Sequence, residues 1–158
     1  MILLNGVSGF IGNAAFDTDL EVIGAECKKH CYSIIDNLGG EVLTWNELEV
    51  GRNYYYVQVK VFDECLYILL NAMYPFIAIS SSAAPGGLDY IDHEQLWKGF
   101  SLHYHVLRAD ELNELLVIKE VKDTNFVENN HQLSEAEFYN IKYWRPKTVG
   151  DIVFNYWD

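Results

Sequence analysis

Five residues of types that bind metal ions occur in two short segments of the chain. Cys27, His30 and Cys31 lie within five residues of one another, and His103 and His105 are two residues apart. Thiolate and imidazole groups are the usual ligands of structural zinc, but such sites typically pair their cysteines through C-x-x-C turns, which this chain lacks. Buried thiols on one side of a helix are more often core side chains. We therefore expect no bound metal, with a zinc site at these residues as the alternative.

Three glycines near the start of the chain suggest a second kind of chemistry. Gly6, Gly9 and Gly12 have the spacing G-x-x-G-x-x-G after an apolar, strand-like run. This pattern resembles the first strand and glycine turn of the extended short-chain dehydrogenase and epimerase family, in which the backbone approaches a dinucleotide pyrophosphate. The resemblance implies an NAD-binding epimerase or reductase as an alternative function. Only eight residues separate Gly12 from Glu21, where that family's second strand would begin, whereas a parallel crossover needs about a dozen.

The same family uses a Tyr-x-x-x-Lys pair on a helix for catalysis. Tyr56 and Lys60 have this spacing, but they fall in a stretch whose apolar residues alternate, which predicts a strand. Four residues along a strand separate two side chains by about 13 Å. We therefore assign no catalytic residue, and a turn between two short strands is the simpler interpretation of the glycines.

Two stretches combine carboxylates with an aromatic residue, a composition suited to binding a basic protein. Aromatic residues anchor protein interfaces, and carboxylates steer basic partners toward them. The predicted partner-binding residues are Trp45, Glu47, Glu49, Asp89, Tyr90, Asp92 and Glu94. A position for Trp45 in the core is the alternative to one at an interface.

The charge and cysteine content restrict the classes of partner and compartment. Twenty-three acidic and 11 basic residues give a formal net charge of −12. Such a surface repels phosphates and anionic lipids, so we expect neither nucleic acid nor a membrane as partner. An acidity that serves only solubility is the alternative.

The three cysteines do not suggest a disulfide framework, which favours the cytoplasm. We expect neither a signal peptide nor a membrane span, because the first residues lack a basic segment and no apolar run reaches ~20 residues.

The longest apolar and β-branched run, Tyr54–Ser80, predicts the sheet that positions these residues. Alternation over Tyr54–Phe62, a continuous apolar stretch at Cys65–Leu70 and a third run at Phe76–Ser80 predict an antiparallel meander. Apolar residues at three- and four-residue steps over Asp19–Leu38 predict a helix packed on it. The length of 158 residues and the 50% apolar content fit one domain. The predicted fold class is α+β, with a mainly antiparallel sheet and helices packed on one face, in a single domain over residues 1–158.

The second half of the chain predicts further elements. Alternation over Leu96–Leu107 predicts a strand whose polar face carries His103 and His105, and the composition of Ala109–Val121 predicts a helix. The polar segment Asp123–Gln132 predicts a loop.

The last third predicts two short helices. Ser134 and Glu137 have capping-box spacing, so a helix is expected from there to about Tyr143. The apolar segment that begins at Thr148 predicts a last helix that docks on the sheet, because exposed termini are normally polar. Its buried stripe is predicted to include Val149, Ile152, Val153 and Tyr156.

The acidic balance, the aromatic content and the ending KYWRPKTVGDIVFNYWD together resemble the small cytosolic immunity proteins with which bacteria neutralise their own polymorphic or contact-dependent toxins. The resemblance implies tight binding to a toxin domain, often a basic nuclease, by masking its active site or blocking its access to substrate. We therefore expect a non-enzymatic inhibitor without a cofactor, which binds a cognate toxin through the acidic and aromatic residues named above.

Overall fold

Five helices and seven strands occur in the part of the chain that the computed structural model describes, which comprises residues 1–10, 20–84 and 87–157. The first half contains α1 Leu20–Asn37, β1 Glu41–Asn46, β2 Tyr54–Val61, β3 Glu64–Asn71 and β4 Phe76–Ser80. The second half contains α2 Glu94–Phe100, β5 His105–Val106, α3 Ala109–Leu112, β6 Ile118–Val121, β7 Thr124–Val127, α4 Glu135–Trp144 and α5 Gly150–Val153. No helix in these ranges has the length and apolar content to cross a membrane.

A five-stranded sheet in the order β1-β2-β3-β4-β5 forms the centre of the molecule. The strands from β1 to β4 are antiparallel neighbours, which confirms the predicted meander. A two-residue turn joins β2 to β3, and Phe62 and Asp63 in this turn have positive φ angles of 52° and 61°. This backbone conformation matches the twist of a tight hairpin. The fifth strand pairs with β4 in parallel, and α2 lies in the connection between them.

Helices cover both faces of this sheet. One face packs against α1, as predicted, and also against α2, and its core includes Val57, Val59, Ile68, Cys31, Leu96 and Phe100. The other face packs against the first residues of the chain and against α3, α4 and α5, and its core includes Tyr54, Leu69, Ala78, Leu112, Ile141 and Ile152. The predicted α+β class with a mainly antiparallel sheet is therefore confirmed. Helices were predicted on one face of the sheet only, whereas the structure has a second layer of helices on the other face.

The predicted strand Leu96–Leu107 is wrong over most of its length. Its first part belongs to α2, and only the two residues of β5 are a strand. The His93 ring accepts a hydrogen bond from Leu96 N at 3.3 Å and so caps the start of α2. Leu96 and Phe100 are four residues apart and fully buried, which is the spacing of one helix face.

The predicted helix Ala109–Val121 is correct only in its first turn. Its last four residues form β6, which pairs with β7 in a separate two-stranded hairpin. Lys122 and Asp123 close this hairpin with φ angles of 51° and 64°. The predicted loop Asp123–Gln132 therefore contains a strand.

The capping box at the start of α4 is confirmed. Ser134 Oγ accepts a hydrogen bond from Glu137 N at 3.3 Å, and Ser134 N donates to Glu137 Oε1 at 3.0 Å. The helix ends at Arg145, which is in the left-handed region with φ 50°. The last segment docks on the sheet as predicted, because Val153 and Phe154 are both buried.

Three buried asparagines tie the first residues, the sheet and the last residues together. The side-chain amides of Asn53 and Asn71 both donate to the carbonyl oxygens of Val7 and Val153, over distances of 3.1, 3.0, 2.9 and 2.7 Å. Asn53 Oδ1 accepts in turn from Asn155 N at 2.8 Å. Because a buried polar group is costly unless it is hydrogen-bonded, this network fixes the position of both outer segments on the sheet.

Candidate functional site

Arg52 organises the loop that connects β1 to β2. Its side chain is only 5% exposed and lies over the rings of Tyr54 and Tyr56, 5.5 and 4.7 Å from their centroids. The guanidinium donates to the carbonyl oxygens of Tyr54 and Glu47, and it lies 3.7 Å from the Glu49 carboxylate. One arginine can make all these contacts because its planar group carries five donors and stacks on aromatic rings. The loop is therefore held against the sheet without regular secondary structure.

Two aromatic side chains hold the carboxylates of this loop. Trp45 Nε1 donates to Glu47 Oε1 at 2.9 Å, and the Tyr156 hydroxyl donates to Glu49 Oε2 at 3.3 Å. Both carboxylates stay exposed, with 60% of the Glu49 side chain accessible. Each charge is thus fixed in position without being buried, which is what a pre-organised binding surface requires. We refer to Trp45, Glu47, Glu49, Arg52 and Tyr156 as the acidic loop site.

The last described residues pair with this loop and bring Tyr156 to it. Trp157 N donates to Gly51 O at 2.8 Å, and Arg52 and Tyr156 form an antiparallel bridge. The prediction that Tyr156 belongs to the buried stripe of the last helix is wrong. The helix α5 ends before this residue, and Tyr156 is 40% exposed.

Trp45 packs partly in the core, and its place in an interface stays a prediction. Its ring stacks on buried Tyr55, with 5.7 Å between centroids, and packs against the core on the α1 side of the sheet. Its indole N–H reaches out to the exposed Glu47 carboxylate. Trp45 lies on β1, which is an edge strand of the sheet. The half-buried ring therefore anchors the acidic loop site to the core.

A pocket of about 390 Å³ lies beside the acidic loop site. The residues that line it include Phe10, Leu48, Val50, Arg52, Met73 and Trp157. The rings of Phe10 and Trp157 stack with 5.6 Å between centroids, and Val50 is 86% exposed at the tip of the loop. The two carboxylates therefore have apolar neighbours, and apolar surface next to polar groups is the usual composition of a protein-binding site.

Tyr90, in the second predicted patch, is a structural side chain. Its hydroxyl donates to Gly150 O at 3.1 Å, and its ring packs 6.1 Å from that of Phe154. Burial raises the pKa of the Tyr90 phenol far above its ordinary value, so the hydroxyl stays protonated and donates. These contacts join the segment after β4 to α5.

The acidic residues of the second patch are exposed, and two of them have partners. Asp92 Oδ1 accepts from Ala109 N at 2.9 Å, one of the amides that the start of α3 leaves unpaired. Glu94 pairs with Lys98 at 3.2 Å, while Asp89 is exposed. This patch follows β4, which lies three strands from β1, a separation of about 14 Å across the sheet. Gly87 and Leu88, just before this patch, line a pocket together with Tyr156 of the acidic loop site.

The predicted metal ligands divide among three places. Cys27 and Cys31 are buried on α1 with their sulfurs 4.0 Å apart. His30 stacks on His103, with 4.1 Å between ring centroids and 8° between ring planes. His105 lies elsewhere, on the edge strand β5. Among residues 1–10, 20–84 and 87–157, no group of three or more His, Cys, Asp or Glu side chains is arranged to hold a metal ion.

Tyr104 links the buried thiols to the stacked histidines. Its hydroxyl lies 2.8 Å from His30 Nδ1, and burial and the neighbouring Cys27 thiol raise its pKa. The hydrogen bond between the two thiols lowers the pKa of Cys27 and raises that of Cys31, and burial raises the pKa of Cys31 further. Cys27 is 1% exposed and Cys31 is 0% exposed. The thiols are thus core side chains, as the sequence favoured.

The glycine turn at the start of the chain holds a carboxylate of the protein itself. Gly6 and Gly9 have positive φ angles of 82° and 85°, and Gly12 lies outside the described residues. The amides of Gly6 and Ser8 donate to the two oxygens of Glu137 at 2.8 and 3.1 Å. In place of the first strand that the dehydrogenase resemblance implies, residues 1–10 contain a single bridge residue. Tyr56 and Lys60 both lie on β2, where their spacing does not form the helical catalytic pair.

Two residues of the acidic loop site, Arg52 and Tyr156, were not among the predicted partner-binding residues. Arg52 had a signal, since it is the one basic residue between Lys29 and Lys60 and it precedes three tyrosines. No sequence pattern indicated that Tyr156 belongs to the site, because its contact with Glu49 spans 107 positions of the chain.

No protein-family model matches this chain, and neither a curated protein nor a solved structure matches it. The geometry of the site is therefore the evidence on its function.

Proposed function

We propose that this protein is an inhibitor that binds a basic partner protein through the acidic loop site. The observation that carries the proposal is the pair of exposed carboxylates held by aromatic donors, Glu47 by Trp45 and Glu49 by Tyr156. Carboxylates that are already ordered lose less conformational entropy when a partner binds. The exposed side chain of Val50, which follows Glu49 in the chain, and the neighbouring pocket supply apolar contact area.

The partner class that we propose is a bacterial toxin domain, often a basic nuclease, which the protein masks in the manner of an immunity protein. The overall composition that resembles those proteins supports this choice. A net charge of −12 attracts a basic domain at long range and accelerates its association. In this proposal the protein acts in the cytoplasm, where its three free cysteines stay reduced, and it needs no cofactor.

Co-expression with the product of the gene just upstream tests the proposal. We expect a stable complex that survives size-exclusion chromatography, with an association rate that falls as salt is added. The double variant Glu47→Lys, Glu49→Lys should associate with that partner at least about tenfold more slowly, because steering charges change association rates by factors of 10 or more. Stopped-flow fluorescence of the tryptophans measures these rates.

A matched control separates the acidic loop site from net charge. The double variant Glu114→Lys, Glu120→Lys changes net charge by the same amount at exposed positions outside the site. We expect this control to associate nearly as fast as the unmodified protein. Equal slowing in both double variants would show that the acidic loop site is not the interface. If no complex forms with the neighbouring gene product, the proposed inhibitor function fails.

A further inference from the structure

A pair of stacked histidines joins α1 to the turn that follows α2. The rings of His30 on α1 and His103 on the turn lie parallel, 4.1 Å apart between centroids. His30 Nδ1 lies 2.8 Å from the hydroxyl of Tyr104, the next residue of the same turn. The ring stacking and this hydrogen bond therefore both depend on the His30 imidazole ring.

The hydrogen bonds of the turn's own backbone are local. His103 N and Tyr104 N both donate to Phe100 O, at 3.1 and 2.9 Å, so these backbone bonds are local to the end of α2. His103 is exposed. A pocket of about 360 Å³ lies between the turn and the sheet, with His30, His103 and Tyr104 in its wall. Movement of the turn away from α1 would therefore enlarge this pocket without breaking the sheet.

The titratable groups around His30 restrict how many protons the pair can bind. Burial and the neighbouring His103 lower the pKa of His30, while Glu26 one turn earlier on α1 raises it. Tyr104 faces the same ring, and burial raises the pKa of Tyr104, so the phenol carries no charge. From the turn between β3 and β4, Tyr74 also lines the pocket, and burial raises its pKa as well. Among residues 1–10, 20–84 and 87–157, Glu26 is thus the one carboxylate that lines the pocket.

Two parallel imidazoles at this distance tolerate one proton but not two. A single imidazolium can stack on a neutral ring, whereas two positive charges about 4 Å apart repel each other. One exposed carboxylate cannot neutralise both charges. We propose that His30 and His103 form an acid-sensitive latch, which holds residues 101–104 against α1 at neutral pH and releases them when both rings are protonated.

The direction of the pH dependence follows from the lowered pKa of His30. The unfolded chain binds a proton at this residue near its ordinary pKa of 6.5, and the folded protein binds it only at lower pH. The latch therefore contributes fully to stability above pH 6.5, and its contribution is lost as the pH falls through the lower folded value. Release of the turn is expected in the same acidic range.

Two measurements on the whole protein test the latch. Proton NMR titration of the histidine rings should show that His103→Phe raises the pKa of His30, because a phenyl ring can stack without carrying a charge. Amide hydrogen exchange of residues 101–104, corrected for the intrinsic effect of pH, should be about tenfold faster at pH 5 than at pH 7.5, the factor that about 1.4 kcal/mol in opening free energy produces. In His103→Phe this acceleration should disappear.

His105→Asn is the control, because His105 lies outside the stacked pair. This variant should keep the acid-induced acceleration of the unmodified protein. The latch is refuted if exchange of residues 101–104 is equally fast at both pH values, or if His103→Phe accelerates in acid as much as the unmodified protein. An unchanged His30 pKa in His103→Phe would refute it independently, since the charge of His103 would then have no effect on His30.

Discussion

The Ser8 hydroxyl donates a 2.6 Å hydrogen bond to Glu137 Oε2, across 129 positions of the chain. Glu137 is 0% exposed, and the amides of Gly6, Ser8 and Ser134 also donate to its carboxylate. A buried charge is costly unless hydrogen bonds replace the water that it loses. The first turn of the chain and the first turn of α4 are thus fastened to each other through one side chain.

Replacement of Glu137 should weaken the fold strongly. Glu137→Ala leaves the buried amides of Gly6 and Ser8 without an acceptor, and hydrogen bonds to a charged group contribute about 1.5–3 kcal/mol each. We expect the free energy of unfolding to fall by roughly 3–6 kcal/mol, measured by urea unfolding with circular dichroism. Glu135→Ala, an exposed position in the same helical turn, should cost under about 1 kcal/mol. Equal losses in the two variants would contradict a special role for Glu137.

The contact between the glycine turn and Glu137 predicts that NAD does not bind at this turn. The Gly6 and Ser8 amides, which a pyrophosphate would need, are already bonded to Glu137. We expect millimolar NAD or NADH to leave the melting temperature unchanged. A ligand at 100 times its dissociation constant would stabilise the protein by about 2.7 kcal/mol and raise the melting temperature. Such a rise in differential scanning fluorimetry would restore the dehydrogenase alternative.

Tyr90 should affect stability and not partner binding. Tyr90→Phe removes the hydrogen bond to Gly150 O and leaves the ring in place. The expected loss is about 1 kcal/mol in the free energy of unfolding, the usual contribution of one neutral hydrogen bond. Tyr139→Phe, at a position that is 72% exposed, is the control and should be neutral. Slower association of Tyr90→Phe with the proposed partner, at unchanged stability, would instead place Tyr90 in the interface.

The sequence predicted the centre of the fold well because its signals there are local. Alternation in β2 and the continuous apolar run of β3 follow directly from the burial of one or both strand faces. The second half was predicted poorly because tertiary contacts determine which secondary structure its residues adopt. Leu96 and Phe100 fit both a strand and a helix pattern, and the His93 cap with burial against α1 selects the helix.

The residues of the acidic loop site could likewise be predicted only where they are close together in the sequence. Trp45, Glu47 and Glu49 are close in sequence, and the structure keeps them together. Tyr90 resembled them in composition, but its role is fixed by a contact with Gly150, sixty positions away. Composition identifies a stretch that can bind a partner, whereas the choice between surface and core depends on long-range packing that a single sequence does not contain.

Cys65 should be the first of the three thiols to react in the native protein. It is exposed on β3, whereas Cys27 and Cys31 are buried on the inner side of α1. Because a thiol must be accessible to react, a maleimide should modify only one cysteine per molecule within minutes, and peptide mass spectrometry should locate it at Cys65. Cys65→Ser should then resist labelling until urea unfolds it. Rapid labelling of Cys27 in the folded protein would show that α1 opens readily.

Arg52 should determine the order of the acidic loop site. Arg52→Lys keeps the positive charge but lacks the planar group that bonds to the carbonyls of Tyr54 and Glu47 while it stacks on two rings. We expect a loss of roughly 1–3 kcal/mol in the free energy of unfolding and faster amide exchange over residues 47–51. Arg145→Lys, at an exposed position, is the matched control and should change neither quantity. If Arg52→Lys is as stable as this control and the loop amides stay protected, charge alone and not the planar geometry of Arg52 holds the loop.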